Sequence, residues 1–501
     1  MKSITTPTSQ PPCPDPFNMA AYVLDGSGAA DDKIALAVLA LSGAERWSYG
    51  KLRAAALGTG TGLLNAGLKP GDRVMLRLGN TVDFPLAFLG AIAAGLIPVP
   101  TSSQLTAPEA GKLAQIIQPA AILQSPDVPA PEGELRTIPQ AALREMRDLA
   151  PVAPQMGDPN RMAYIIFTSG TSGTPRAVCH AHRVVWARRM MWAGWYDLQP
   201  TDRLLHAGAF NWSFTLGTGM MDPWACGATA LIPADGTDPK ALPLLLKRHD
   251  ATLLAAAPGV YRKFLKDHPS LSLPKLRHGL CAGEKLPEAL RTAWAEATGT
   301  GLFEAYGQTE ISTFISGSPA RPSATGTLGA PQDGRLMAIV DENGQPVPRG
   351  TAGTIAIDHR DPGLMLGYLD APEATTEKRR GDWFLTGDQG IMDENGFITY
   401  QGRDDDLMNA GGFRVSPLEV EATLSHIEGI QEVAVTDVEI KPDVRVIAAF
   451  YTADADLDEA ALTAYAEANL ARYKQPRLWV HLTDLPRNPN GKLRRKELKL
   501  P

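Results

Sequence analysis

Short apolar runs alternate with longer helical patterns along most of the chain. Residues 73–78, 97–100, 120–123, 228–232 and 251–255 read as strands, and 82–94 and the stretch around 244–248 as helices. Parallel strands need crossover connections, usually helical, so this alternation predicts an α/β fold with largely parallel sheets. At 501 residues the chain exceeds what one hydrophobic core serves, and more than one domain is expected. From about Gly329 the texture changes to short, turn-rich, strand-like units at 337–340, 353–357 and 396–400. The polar turn Gly402-Arg-Asp-Asp-Asp-Leu407 marks a second boundary. After it come a helix over 417–426, strands at 433–435 and 444–450, a helix over 457–470 and a basic tail. The expected organisation is a large α/β body over 1–402 with a β-rich subdomain, a connector at 403–407, and a small mobile α+β cap over 408–501.

Inside the body, the apolar run Met162-Ala-Tyr-Ile-Ile-Phe167 opens into Thr168, Ser169, Gly170, Thr171, Ser172, Gly173, Thr174, a proline and Arg176. A buried strand leading into a hydroxyl- and glycine-rich loop with one cation has the makings of a phosphate cradle, with N–H groups and hydroxyls facing anionic oxygens. Taken alone, the loop would equally be a flexible linker. Gly491-Lys492 is followed by leucine, so no Walker loop is present. No G-x-G-x-x-G follows a strand, and His359-Arg-Asp361 lacks the asparagine of a kinase catalytic loop. A net charge of −7 offers no basic field for nucleic acid. Cys13, Cys179, Cys226 and Cys281 show no C-x-x-C pairing, and the nine histidines no ligand spacing, which fits a reducing cytoplasm and no structural zinc. The N-terminus is polar and Pro-rich rather than a signal peptide, and the most apolar run, 84–100, is too short to span a bilayer.

Six stretches in fixed order decide between cradle and linker. Beside 168–178 stand Ala282-Gly-Glu-Lys285, Glu304-Ala-Tyr-Gly-Gln-Thr-Glu310 and Trp383-Phe-Leu-Thr-Gly-Asp388. Gly402-Arg-Asp-Asp-Asp406 with Gly412-Phe-Arg414, and Pro486-Arg-Asn-Pro-Asn-Gly-Lys492, complete the set. Together they resemble the adenylate-forming superfamily, the AMP-dependent acyl-CoA synthetases and ligases, from about Trp47 to the C-terminus. The resemblance implies that Thr168 to Thr174 wrap the β- and γ-phosphates of ATP, with Arg176 where the family usually has lysine. It implies that Gly283, Glu284 and Lys285 line adenine, that Tyr306 stacks on it, and that Glu304, Ala305, Gly307 and Gln308 complete that segment. Thr309 matches a phosphate contact, Glu310 the Mg²⁺ ligand, and Asp388 the ribose carboxylate. Arg403 and Arg414 match further nucleotide contacts, Asp405 the hinge, and Lys492 the catalytic lysine.

The implied reaction has two halves. A carboxylate attacks the α-phosphate of Mg·ATP to give an acyl-adenylate and pyrophosphate; a thiol then attacks the acyl carbon and releases AMP. Neither half needs a protein nucleophile, and no Ser/His/Asp or Cys/His arrangement is apparent. Phe210, Asn211, Trp212 and Phe214, with 281–283, are the expected acyl pocket, suited to an aromatic or short-to-medium-chain acid. The chain ends nine residues after Lys492, which favours free coenzyme A over a fused carrier domain. Loading of a separate carrier protein, and a weakly catalytic nucleotide-binding relative, are the alternatives.

Overall fold

The alternation read from the sequence becomes a sheet of nine strands among the described residues of a computed structural model, which are 1–168, 175–403, 408–410, 413–441, 444–470, 472–488 and 491–500. Six of the nine are mutually parallel, in the order Gly301–Gln308, His278–Ala282, Leu253–Ala256, Arg203–His206, Thr229–Pro233 and Ile34–Ala40. Antiparallel strands close both ends: Gly43–Ser48 on one side, Ser312–Ser316 and then Ala330–Pro331 on the other. A second, all-parallel sheet runs Ile97–Pro100, Arg73–Arg77, Ala121–Gln124, Thr137–Pro139. Beyond Asp83, which pairs with Arg147, the helix Asp83–Ala93 is apolar all round and every one of its residues is buried, as a helix covered on all sides requires. Ser48 caps the helix Tyr49–Asn65 by accepting from Lys51 N–H at 3.3 Å, and the two helices share one core with Phe210, Trp224 and Ile232.

The chain divides into two compact units. The larger comprises Thr6–Leu336 and Asp358–Asp382, and contains both sheets just described. The smaller comprises Met1–Thr5, Met337–Ile357 and Trp383–Pro501. In the smaller unit, Met337–Val340, Ala352–Asp358, Trp383–Met392 and Ile398–Arg403 pair in that order, and Ile4 bridges to Ala338. Further along, Glu432–Lys441 pairs antiparallel with Val444–Thr452, which pairs parallel with Leu478–His481. The helices Pro417–Leu424 and Glu459–Asn469 are capped by the Ser416 and Asp458 side chains. Val420, Leu424, Val435, Ile447, Ala449 and Ala466 are the core beneath them. The protein is thus α/β, with a large parallel-rich sheet and a separate β-rich part.

Candidate active site

In the larger unit, two of the motifs emerge side by side because their strands are neighbours. His278–Ala282 and Gly301–Gln308 run parallel with Cys281 opposite Glu304 and Ala282 opposite Ala305. Gly283, Glu284 and Lys285 therefore leave the carboxyl end of one strand next to Tyr306, Gly307 and Gln308 at the end of the other. Carboxyl ends of parallel strands are where open α/β sheets hold ligands. Gly283 has φ +95°, and a β-carbon there would lie 2.9 Å from the Trp212 ring. At Gly307 a β-carbon would lie 1.9 Å from the Ser312 carbonyl oxygen, so the turn carrying Thr309 and Glu310 closes only over glycine. Ser312, at φ +72°, is secured through its hydroxyl by the Arg188 guanidinium. Arg188 is itself buried on Asp222 at 2.8 and 2.6 Å. His180 hydrogen-bonds the Thr309 main chain and stacks on Tyr164 at 4.8 Å.

Glu304 is fully buried and turned back into the protein. Its Oε1 accepts from Leu286 N–H at 2.7 Å, which ties the end of the 283–286 segment to the neighbouring strand. Burial pushes its carboxyl up to about 7, offset in part by the Leu286 N–H and by Arg291, 3.7 Å away. Tyr306 is half-buried, edge-on to Phe314 at 5.4 Å.

The cradle strand pairs back on itself. Met162–Thr168 and Arg176–Ala181 form a hairpin in which Thr168 faces Arg176. Ser169, Gly170, Thr171, Ser172, Gly173 and Thr174 lie outside the described residues. The Arg176 guanidinium sits over the Tyr368 ring at 5.0 Å, and the Tyr368 hydroxyl donates to Glu310 Oε1 at 2.7 Å. Arg176 and Glu310, 134 positions apart in sequence, thus meet on a single side chain that the motif pattern did not single out.

The expected pocket residues divide. Phe210 is fully buried and stacks on Phe84 at 5.4 Å, as part of the core. Trp212 and Phe214 meet edge to face at 5.1 Å, with His206 4.5 Å and Trp195 5.7 Å from Phe214. Asn80 fastens the loop: its Oδ1 accepts from Phe210 N–H at 2.9 Å and its Nδ2 donates to the Gly208 carbonyl at 3.2 Å. Asp235 Oδ2 in turn accepts from Asn80 N–H at 2.8 Å. Asn80 lies 130 residues from the loop it holds, beyond the reach of any local pattern.

In the smaller unit, Asp388 and Arg403 are cross-strand partners of one hairpin, with 4.0 Å between carboxylate and guanidinium. The Tyr400 hydroxyl donates to Asp388 Oδ1 at 3.3 Å, and the Thr386 hydroxyl accepts from Asp388 N–H at 3.1 Å. Gly387, at φ +80°, stands between Thr386 and Asp388 within the strand Trp383–Met392. Lys492 is exposed on a turn braced by Asn488, whose Oδ1 accepts from Lys492 N–H at 2.9 Å. Arg487 anchors that turn, donating to the Gly491 carbonyl at 2.8 Å and to Glu432 at 2.9 Å. The tail beyond is docked: Arg495 pairs with Glu421, both largely buried. Arg414 lies on the strand Phe413–Val415 opposite Asn409, and Asp405 lies outside the described residues.

Burial pushes the thiols of Cys13, Cys179 and Cys226 up to about 11 and that of Cys281 well above its ordinary value, which leaves no thiolate near neutrality. All four are free cysteines. Burial likewise drives His180, His182 and His206 down to about 3, so these rings are neutral. Among the described residues no group of three or more His, Cys, Asp or Glu is placed to hold a metal ion, and no helix is long and apolar enough to cross a membrane.

The profile of the AMP-binding enzymes matches residues 27–369, and that of the AMP-binding enzyme C-terminal domain residues 419–492. The 3-hydroxybenzoate–CoA ligase of Aromatoleum sp. (strain CIB) is 29% identical, covering 92% of each chain. A mitochondrial acyl-coenzyme A synthetase of Rattus norvegicus is 30% identical over 97% of this chain and 92% of its own. Among solved structures, a benzoate CoA ligase from Burkholderia xenovorans LB400 superposes with a TM-score of 0.84 at 25% identity, covering 96% of this chain and 99% of that one. ATP-bound MatB from Rhodopseudomonas palustris superposes with a TM-score of 0.85 at 25% identity, over 96% and 98%.

Proposed function

The chain belongs to the AMP-binding enzyme family, and from that premise we propose that it is an ATP-dependent acid–CoA ligase acting on an aromatic or medium-chain carboxylic acid. A carboxylate oxygen of the acid attacks the α-phosphorus of ATP and pyrophosphate leaves with the electrons of the broken P–O bond. The sulfur of coenzyme A, as thiolate, then attacks the acyl carbon and AMP leaves. The observation that carries the reading is the meeting of Arg176 and Glu310, a cation and a carboxylate from two separate motifs, on Tyr368.

A hard cation bridging phosphates needs only one or two protein carboxylates and keeps several waters. Glu310, with one oxygen fixed by Tyr368, fits that donor set, and Mg²⁺ bound there would neutralise phosphate charge. The remaining work falls to the chain's own groups. Arg176 and the loop hydroxyls hold phosphate oxygens, Tyr306 covers the adenine, and Asp388 and Arg403 take the ribose. Lys492 sets its charge against the developing negative charge of adenylation. Buried thiols and neutral histidines support catalysis by positioning and electrostatics rather than through a covalent enzyme intermediate. The Trp212, Phe214, Trp195 and His206 rings support a flat, aromatic acyl group. Four free cysteines support a reducing, cytoplasmic setting.

The test is AMP release and thioester mass from Mg·ATP across a panel of benzoates and straight-chain acids, with coenzyme A and a phosphopantetheinyl carrier protein offered separately. Acid-dependent acyl-CoA with stoichiometric AMP is the expected result. Transfer to the carrier alone would reassign the thiol, and absence of AMP with every acid would overturn the reading.

A further inference from the structure

Tyr368 belongs to none of the motifs, yet its surroundings are built around it. It lies on the two-residue strand Gly367–Tyr368, antiparallel to Arg176–Ala181 with Tyr368 opposite Val178. Leu366 N–H to the Cys179 carbonyl and Leu369 N–H to the Ala177 carbonyl, both 2.8 Å, lock this strand to the cradle hairpin. Tyr368 N–H donates to the Thr375 hydroxyl at 2.9 Å, and the residue is 6% exposed. The same segment grips Glu310 twice, by Met365 N–H to the Glu310 carbonyl at 2.8 Å and by the Tyr368 hydroxyl to Oε1 at 2.7 Å.

An arginine this near a glutamate would ordinarily close a two-pronged ion pair with it, because the guanidinium fork matches a carboxylate. That pairing would take away a phosphate-binding cation and a metal-binding carboxylate at once. Here the guanidinium lies over the Tyr368 ring and interacts with the hydroxyl as well, the carboxylate is held at that same hydroxyl, and among the described residues no ion pair joins Arg176 to Glu310. We propose that Tyr368 is a positioning residue: its hydroxyl aims Glu310 at the Mg²⁺ of Mg·ATP, and its ring keeps Arg176 off that carboxylate. The inference rests on the proposed function for the identity of the ion and the nucleotide.

Tyr368→Phe keeps the ring and removes the hydroxyl, and Tyr368→Leu removes both. The readout is calorimetric affinity of the full-length protein for a non-hydrolysable ATP analogue, titrated with Mg²⁺ and repeated in EDTA. Losing one hydrogen bond to a charged group should raise the half-saturating Mg²⁺ of Tyr368→Phe about tenfold, with affinity in EDTA unchanged. Tyr368→Leu should lose more, and adding Arg176→Ala to it should recover part of the Mg²⁺ response. That recovery compares two variants sharing the same cavity, so it also decides the matter if loss of the ring lowers stability. An unchanged Mg²⁺ response in Tyr368→Phe, or no recovery in the double variant, overturns the proposal. If no acid supports AMP release while the Mg²⁺ shift is present, the proposed reaction fails and the role of Tyr368 stands. If the unmodified protein binds no Mg·nucleotide, both fall.

Discussion

Glu304 illustrates how a motif residue can act without facing the ligand. The motif pattern groups it with the adenine segment, but its carboxylate is spent on Leu286 N–H inside the protein. The second oxygen and Arg291 Nε find no hydrogen-bond partner, so the charge is poorly compensated and the carboxyl rises from 4.5 to about 7. The folded chain therefore keeps a proton that the unfolded chain releases, and stability falls as pH rises between those two values. The span corresponds to at most about 3 kcal/mol. Glu304→Gln retains an acceptor for Leu286 without the charge. Thermal unfolding should show the variant gaining on the unmodified protein at pH 8, with the gap closing toward pH 5. A gap independent of pH would mean that Glu304 does not titrate in this range.

At the scale of elements, what was legible was what repeats locally or is spelled out in consecutive letters. Buried strands such as Leu253–Ala256 announce themselves as apolar runs, and the nucleotide motifs as fixed strings. Long-range side-chain clamps have no such signature. Tyr368 reaches Glu310 across 58 residues, and Asn80 reaches the 208–210 loop across about 130. An Asn in a Gly-Asn turn reads as an ordinary loop residue, and a Tyr after glycine as a strand residue; only the folded chain gives them partners. An aromatic run does not say which ring faces inward; in the fold Phe210 is buried against Phe84. The Asn80 clamp makes a prediction at this scale. Asn80→Ala leaves the Phe210 N–H and Gly208 carbonyl without their partner, at a cost of about 1–3 kcal/mol. The loosened loop carries Trp212, so KM for the acid should rise several-fold while KM for ATP stays within a factor of two. Parallel changes in both constants would assign Asn80 to stability alone.

For the molecule as a whole, the two half-reactions make conflicting demands. Adenylation calls for a cation at the α-phosphate, whereas thioester formation calls for an open approach for a bulky thiol. Lys492 N–H is held by the Asn488 side chain, and Arg487 ties the Gly491 carbonyl to Glu432. On the proposed reaction the lysine is delivered as part of a larger body, and the alternation is expected from the connector that the sequence motif places at Asp405. Lys492→Ala should therefore cut adenylate formation by orders of magnitude and leave thioester formation from supplied acyl-adenylate largely intact. Asp405→Pro acts differently, since proline fixes φ near −65°, removes an N–H and restricts the residue before it. A hinge residue must reach two backbone conformations, and proline allows few. Both half-reactions should be timed separately in each purified variant, with melting temperature as the control for folding. Adenylation surviving and thioester formation collapsing in Asp405→Pro, the reverse of Lys492→Ala, is the expected outcome. Unmodified rates for both halves in Asp405→Pro would move the hinge to Asp404 or Asp406, and parallel loss of both halves in Lys492→Ala would remove the lysine from the first chemical step.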